Sequence, residues 1–149
     1  MKSFSRRLLL ASLFAFCAVP CSAKHMAVVV NKSNSTSNVS AVELTKIFSA
    51  SSRKWPDGTS ITVVLRDSSS TDTHEALQRI YKMTDPEVKA FLQSHKADFI
   101  TVDSDEALIK TVQSTPGAIA LVDVYSITSR INVVKVDGKL PLEQGYLLH

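Results

Sequence analysis

Five short, nearly unbroken apolar runs constrain the fold of this chain more than any other feature of it: Ala27 to Val30 (AVVV), Ile61 to Leu65 (ITVVL), Phe99 to Val102 (FITV), Ala118 to Val122 (AIALV) and Ile131 to Val136 (INVVKV). Strands covered on both faces read as continuous apolar stretches, whereas a half-solvated antiparallel sheet alternates polar and apolar residues. Most of the gaps carry helix patterns with their own start signals. Ser40-Ala41-Val42-Glu43 is a capping box ahead of the stripe Val42, Leu44, Ile47 and Phe48, and Asp72-Thr73-His74-Glu75 repeats the device before Ala76, Leu77, Ile80 and Tyr81. Asp85-Pro86 opens a third helix with Val88, Phe91 and Leu92 on its buried face. Asp103 to Glu106 caps a fourth, carried by Ala107, Leu108, Ile109 and Val112 and stopped by Pro116-Gly117. The order β-α-β-α-α-β-α-β-β predicts an α/β domain, a three-layer αβα sandwich around a mainly parallel five-stranded sheet. The last two strands are free to pair antiparallel.

The N-terminus reads differently. A basic MKSFSRR precedes the apolar LLLASLFAFCAV, and small residues (CSA) lie just before Lys24. This is the pattern of an export signal cleaved after Ala23, with acylation at Cys21 as the alternative, so residues 1–23 are expected to be removed and 24–149 to form a single periplasmic domain. Both cysteines, Cys17 and Cys21, fall in the signal, and the remaining domain needs no disulfide. Lys2, Arg6 and Arg7 account for the net charge of +3, leaving 17 − 3 = 14 Lys and Arg against 14 Asp and Glu. A balanced domain gives no basic surface for nucleic acid.

Ligands of open α/β sheets sit outside the carboxyl ends of the strands. The loop after the second run, Arg66-Asp67-Ser68-Ser69-Ser70-Thr71-Asp72-Thr73, leads straight into a helix start, where unpaired amides and the helix dipole favour a small anion. Ser69, Ser70, Thr71 and Thr73 offer hydroxyl donors, and Arg66 offers a planar fork that matches two oxygens. These five residues are the candidate anion site. The competing reading is a helix cap, a solvated serine loop and an Arg66–Asp67 pair. The loop Asn31 to Asn38 is equally rich in amides and hydroxyls and is a second candidate wall. His25, His74, His95 and His149 show no metal-ligand spacing, and no Gly-x-Ser-x-Gly elbow is present. No metal, cofactor or enzymatic activity is expected.

From Val28 to the C-terminus the chain resembles the second lobe of the phosphate-type periplasmic binding proteins that serve ABC transporters. The matching stretches are VVVN, SAVELTKIFSASSRKWPDG, ITVVLRDSSSTDTHEAL, TPGAIALVD and VDGKLPLEQGYLL. The resemblance implies one lobe of a type II periplasmic binding protein, a phosphate or related oxyanion as ligand, and an ABC transporter permease as partner. It gives Arg66 the role of the family's phosphate-gripping arginine. The Ser-Gly-Thr that follows in the family matches either Thr71-Asp72-Thr73 or Ser70-Thr71-Asp72, and neither holds a glycine. Complete members have two lobes, so weak binding, or completion of the site by a second lobe or subunit or by the Asn31 to Asn38 loop, is expected.

Overall fold

The computed structural model describes residues 25–149. The export-signal reading, including Cys17, Cys21 and the cut after Ala23, lies outside the described residues. All five apolar runs form strands: β1 (Met26–Asn31), β3 (Thr62–Arg66), β4 (Phe99–Val102), β5 (Ala118–Asp123) and β6 (Ile131–Val136). A two-residue strand, β2 (Asn38–Val39), joins them, and the six strands lie in the order β2-β6-β1-β5-β3-β4. Four helices, α1 (Ala41–Phe48), α2 (Thr71–Tyr81), α3 (Asp85–Ser94) and α4 (Asp105–Ser114), complete the α/β architecture.

Alternation along the strands builds two cores. Val28 and Val30 of β1, with Ile119 and Leu121 of β5, face Leu44, Phe48, Leu77, Ile80 and Val88 of α1, α2 and α3. Ala27 and Val29, with Ala120 and Val122, face Leu108 and Val112 of α4. The result is the expected sandwich, three helices on one face of the sheet and one on the other.

The sheet is mixed. β3 pairs in parallel with β4 and β5, and β2 with β6, but β1 runs antiparallel to both of its neighbours, β5 and β6. The last two strands are therefore not partners of each other; β1 lies between them. This single reversal matters for the site. It brings the first residue of β1 beside the last of β5, Met26 opposite Asp123, while its carboxyl end, Asn31, pairs with the start of β6 at Ile131.

Helix starts also depart from expectation. Ser40 does cap α1 with Glu43, but α2 begins earlier than its capping signal suggested, with Ser70 as cap and Asp72 inside the first turn. α3 is capped by Thr84, whose N–H (2.7 Å) and hydroxyl (3.0 Å) both donate to Glu87, and α4 by Ser104, whose Oγ accepts from the Ala107 N–H at 3.1 Å. Val42, placed in the apolar stripe of α1, is instead largely exposed. The C-terminal tail packs into the core through Tyr146 and Leu148, and the Val28 N–H donates to the Tyr146 hydroxyl at 3.4 Å.

Candidate functional site

The carboxyl ends of β3 and β5 and the amino end of β1 meet at one rim of the sheet, where α2 and α4 also begin. Between them lies a polar cleft of about 380 Å³, lined by Met26, Arg66, Ser69, Ser70, Thr71, Asp72, Asp105 and Asp123. Four of the five predicted residues, Arg66, Ser69, Ser70 and Thr71, converge here. The fifth, Thr73, is buried behind the wall, its hydroxyl 3.0 Å from that of Ser70.

Arg66 is the last residue of β3, opposite Val102 of β4, so the sheet fixes its backbone. Its side chain is mostly buried, and Nη1 donates to Asp105 Oδ1 at 2.5 Å. Ser126 Oγ holds the other oxygen of Asp105 at 3.2 Å. The Nε of Arg66 is buried and makes no hydrogen bond among the described residues. Asp67, the expected partner of Arg66, instead accepts from the N–H (3.2 Å) and hydroxyl of Ser69. The Ser69 hydroxyl is the main cause holding the Asp67 carboxyl below its ordinary range.

The start of α2 is partly self-satisfied. Ser70 Oγ accepts from the Thr73 N–H at 3.3 Å, and the His74 N–H donates to the Ser70 carbonyl at 3.3 Å. Thr71 stands at the first position of the helix, where the backbone N–H has no carbonyl partner within its own helix. At the start of α4 the chain has placed its own carboxylate, Asp105, in the first helical position. Asp123 turns a carboxylate oxygen to the Tyr125 N–H at 3.0 Å.

The cleft therefore carries one guanidinium and three carboxylates, those of Asp72, Asp105 and Asp123. A fully ionised anion meets repulsion here, whereas an anion that still carries a proton can donate it to a carboxylate. Asp105, Asp123, Ser126 and Met26 were not foreseen as neighbours of Arg66. Ser104-Asp105-Glu106 reads along the chain only as a cap, and its contact with Arg66 depends on β4 bringing the two helix starts together.

The Asn31 to Asn38 loop does not complete this cleft. Because β1 is reversed, the loop emerges at the opposite rim, where Asn31 Nδ2 donates to the carbonyls of Val112 (2.8 Å) and Gln113 (3.0 Å) and so secures the end of α4. Among the described residues no cluster of three His, Cys, Asp or Glu side chains could hold a metal, and no helix is long and apolar enough to cross a membrane.

Residues 14–145 match a family model described as a PBP superfamily domain. A search of curated proteins finds no match. Among solved structures, the chain is similar to an ABC-type phosphate transport receptor from Vibrio cholerae, with a TM-score of 0.69 and 18% identity over 84% of this chain and 53% of that one. It is likewise similar to a putative phosphate ABC transporter substrate-binding protein from Clostridium perfringens, solved with bound phosphate (TM-score 0.65, 21% identity, 77% of this chain and 46% of that one). PstS from Borrelia burgdorferi gives 0.66, 20%, 79% and 49% for the same measures. At such identities the likeness is one of fold, and the chain spans about half the length of each of these proteins.

Proposed function

This chain belongs to the PBP superfamily of domains, and on that footing we propose that it is an exported solute-binding domain that takes an inorganic oxyanion, phosphate foremost, in the Arg66 cleft for ABC-type uptake or sensing. The observation that carries the reading is the convergence of a mostly buried guanidinium, the Thr71 N–H and the hydroxyls of Ser69, Ser70 and Thr71 at the start of the eleven-residue helix α2. Such a start supplies backbone donors and a favourable dipole to an anion. The three carboxylates favour hydrogen phosphate over sulfate, because near neutral pH only phosphate has a proton to give them. The role is one of binding rather than catalysis. Since the chain spans about half of its solved relatives, a second lobe or subunit supplies the facing wall, and a permease receives the ligand.

A second reading is favoured by Asp105, which already occupies Nη1 of Arg66. A domain that kept the lobe and lost its ligand, acting as an interaction module, has this arrangement. Calorimetry of the purified protein with phosphate and sulfate separates the two. The first reading expects heat from phosphate, affinity lower by at least about tenfold in Arg66→Ala, and sulfate weaker by a similar factor. Titrations without heat for either anion favour the second.

A further inference from the structure

Arg66 lines two clefts, and the second has a different chemical character. It lies between the end of β3, the first turns of α2, the outer face of α3 and the edge strand β4, and encloses about 420 Å³. Its floor is apolar, formed by Leu65, Leu92 and Phe99, with the Phe99 ring 6.5 Å from that of Phe91 behind it. Its rim is cationic: Lys89 and Lys96 stand there with Arg66, against the single carboxylate of Asp67. Lys89 is paired to Asp85 at 2.7 Å yet remains well exposed. His74 forms part of the wall; it is more than nine-tenths buried, and its Nδ1 faces Asp85 Oδ1 at 3.4 Å.

We propose that this cleft is a separate site for a small organic anion, whose apolar body lies on Leu65, Leu92 and Phe99 and whose charged head meets Lys96 and Lys89. Size and lining agree: small-molecule sites span roughly 300–1,000 Å³ and combine an apolar surface with a few placed polar groups. An inorganic oxyanion gains nothing from the apolar floor, and a neutral hydrocarbon gains nothing from the lysines. The two halves of the cleft together select a molecule that has both parts. The site does not depend on the anion reading of the Arg66 cleft, since Nη1 of Arg66 is turned to Asp105.

The test is amide-resolved NMR titration of the protein with phenyl phosphate as probe and inorganic phosphate as comparison. Phenyl phosphate is expected to shift the amides of Leu92, Gln93, Phe99 and Thr101 saturably, whereas inorganic phosphate leaves them in place. Lys96→Glu, an exposed substitution that does not touch the other cleft, is expected to weaken phenyl phosphate by at least about fivefold. Leu92→Asn, which keeps the side-chain length and branching and removes the apolar contact, is expected to weaken it similarly. Shifts confined to Ser70 and Thr71, no shifts at all, or equal affinity in Lys96→Glu overturns the proposal. Inorganic phosphate reports on the first cleft through Ser70 and Thr71, so the two readings stand or fall on different amides.

Discussion

At the scale of single residues, Arg66 and Asp105 decide the character of the site. The guanidinium is about four-fifths buried and its carboxylate partner about two-thirds buried, so the pair is neither a solvated surface bridge nor a fully desolvated one. Removing the carboxylate leaves a partly buried cation with less company, which gives Asp105→Asn an expected loss of about 1–2 kcal/mol, read from the midpoint of urea unfolding. The same substitution takes a negative charge out of the cleft and frees Nη1. Phosphate affinity is therefore expected to rise by about threefold or more while stability falls, a trade between binding and stability that calorimetry and unfolding measured on one variant both read. Unchanged affinity would show that Asp105 does not compete with the anion. Arg66 itself was legible in the sequence because it ends an apolar run and precedes a helix. Asp105 was not, because it lies 39 positions away and only the parallel pairing of β3 with β4 brings it close.

Among the elements, the helix starts show what a sequence pattern can specify and where it slips. Ser40 with Glu43 was readable as a box because its immediate neighbours, Val39 and Ala41, have no side-chain oxygen to offer as a cap. At α2 and α4 the true caps, Ser70 and Ser104, stand beside aspartates that are equally good by type, and the choice between neighbours depends on which oxygen the turn geometry presents. The direction of β1 was beyond reach for a similar reason. Apolar continuity identifies a strand covered on both faces but carries no sign of its orientation, which follows from sheet order. β2 is too short, and set in too polar a loop, to be seen at all. The two boxes make a pH prediction. Glu43 and Glu87 accept from the backbone N–H of Ser40 (2.8 Å) and Thr84 (2.7 Å), and these bonds are the first cause holding both carboxyls below the usual glutamate value of 4.5. A carboxyl lowered in the folded state stabilises fully above its unfolded value and loses that contribution as pH falls through the folded one. The double variant Glu43→Gln, Glu87→Gln keeps an acceptor at each cap but does not titrate. Its melting temperature is expected to fall less steeply than that of the unaltered protein between roughly pH 5 and pH 3; parallel curves for the two proteins refute the assignment.

For the whole molecule, Gly117, just before β5, is a point of close approach between distant segments. Its carbonyl accepts from both the Trp55 indole (3.0 Å) and the Thr62 N–H (3.0 Å), tying the turn before β3 to the strand beside it. A Cβ on Gly117 would lie 1.7 Å from the Ser60 carbonyl oxygen, a backbone atom that cannot swing aside. Gly117→Ala is accordingly expected to cost at least about 1–3 kcal/mol, seen as a lowered urea midpoint, and a neutral result would mean that the turn relaxes freely. The three-layer plan was legible from the runs and their helices because burial on both faces leaves a compositional trace. The glycine was read only as a helix stop, since close approach between distant segments leaves none. The position of β1 has a further consequence. Its hydrogen-bonding neighbours, β5 and β6, come last among the described strands, so the centre of the sheet pairs only across a long stretch of chain. Closing such distant contacts is slow. The middle of this sheet is therefore expected to be the last part of the fold to close, after the parallel β3–β4 pair and the helices beside it.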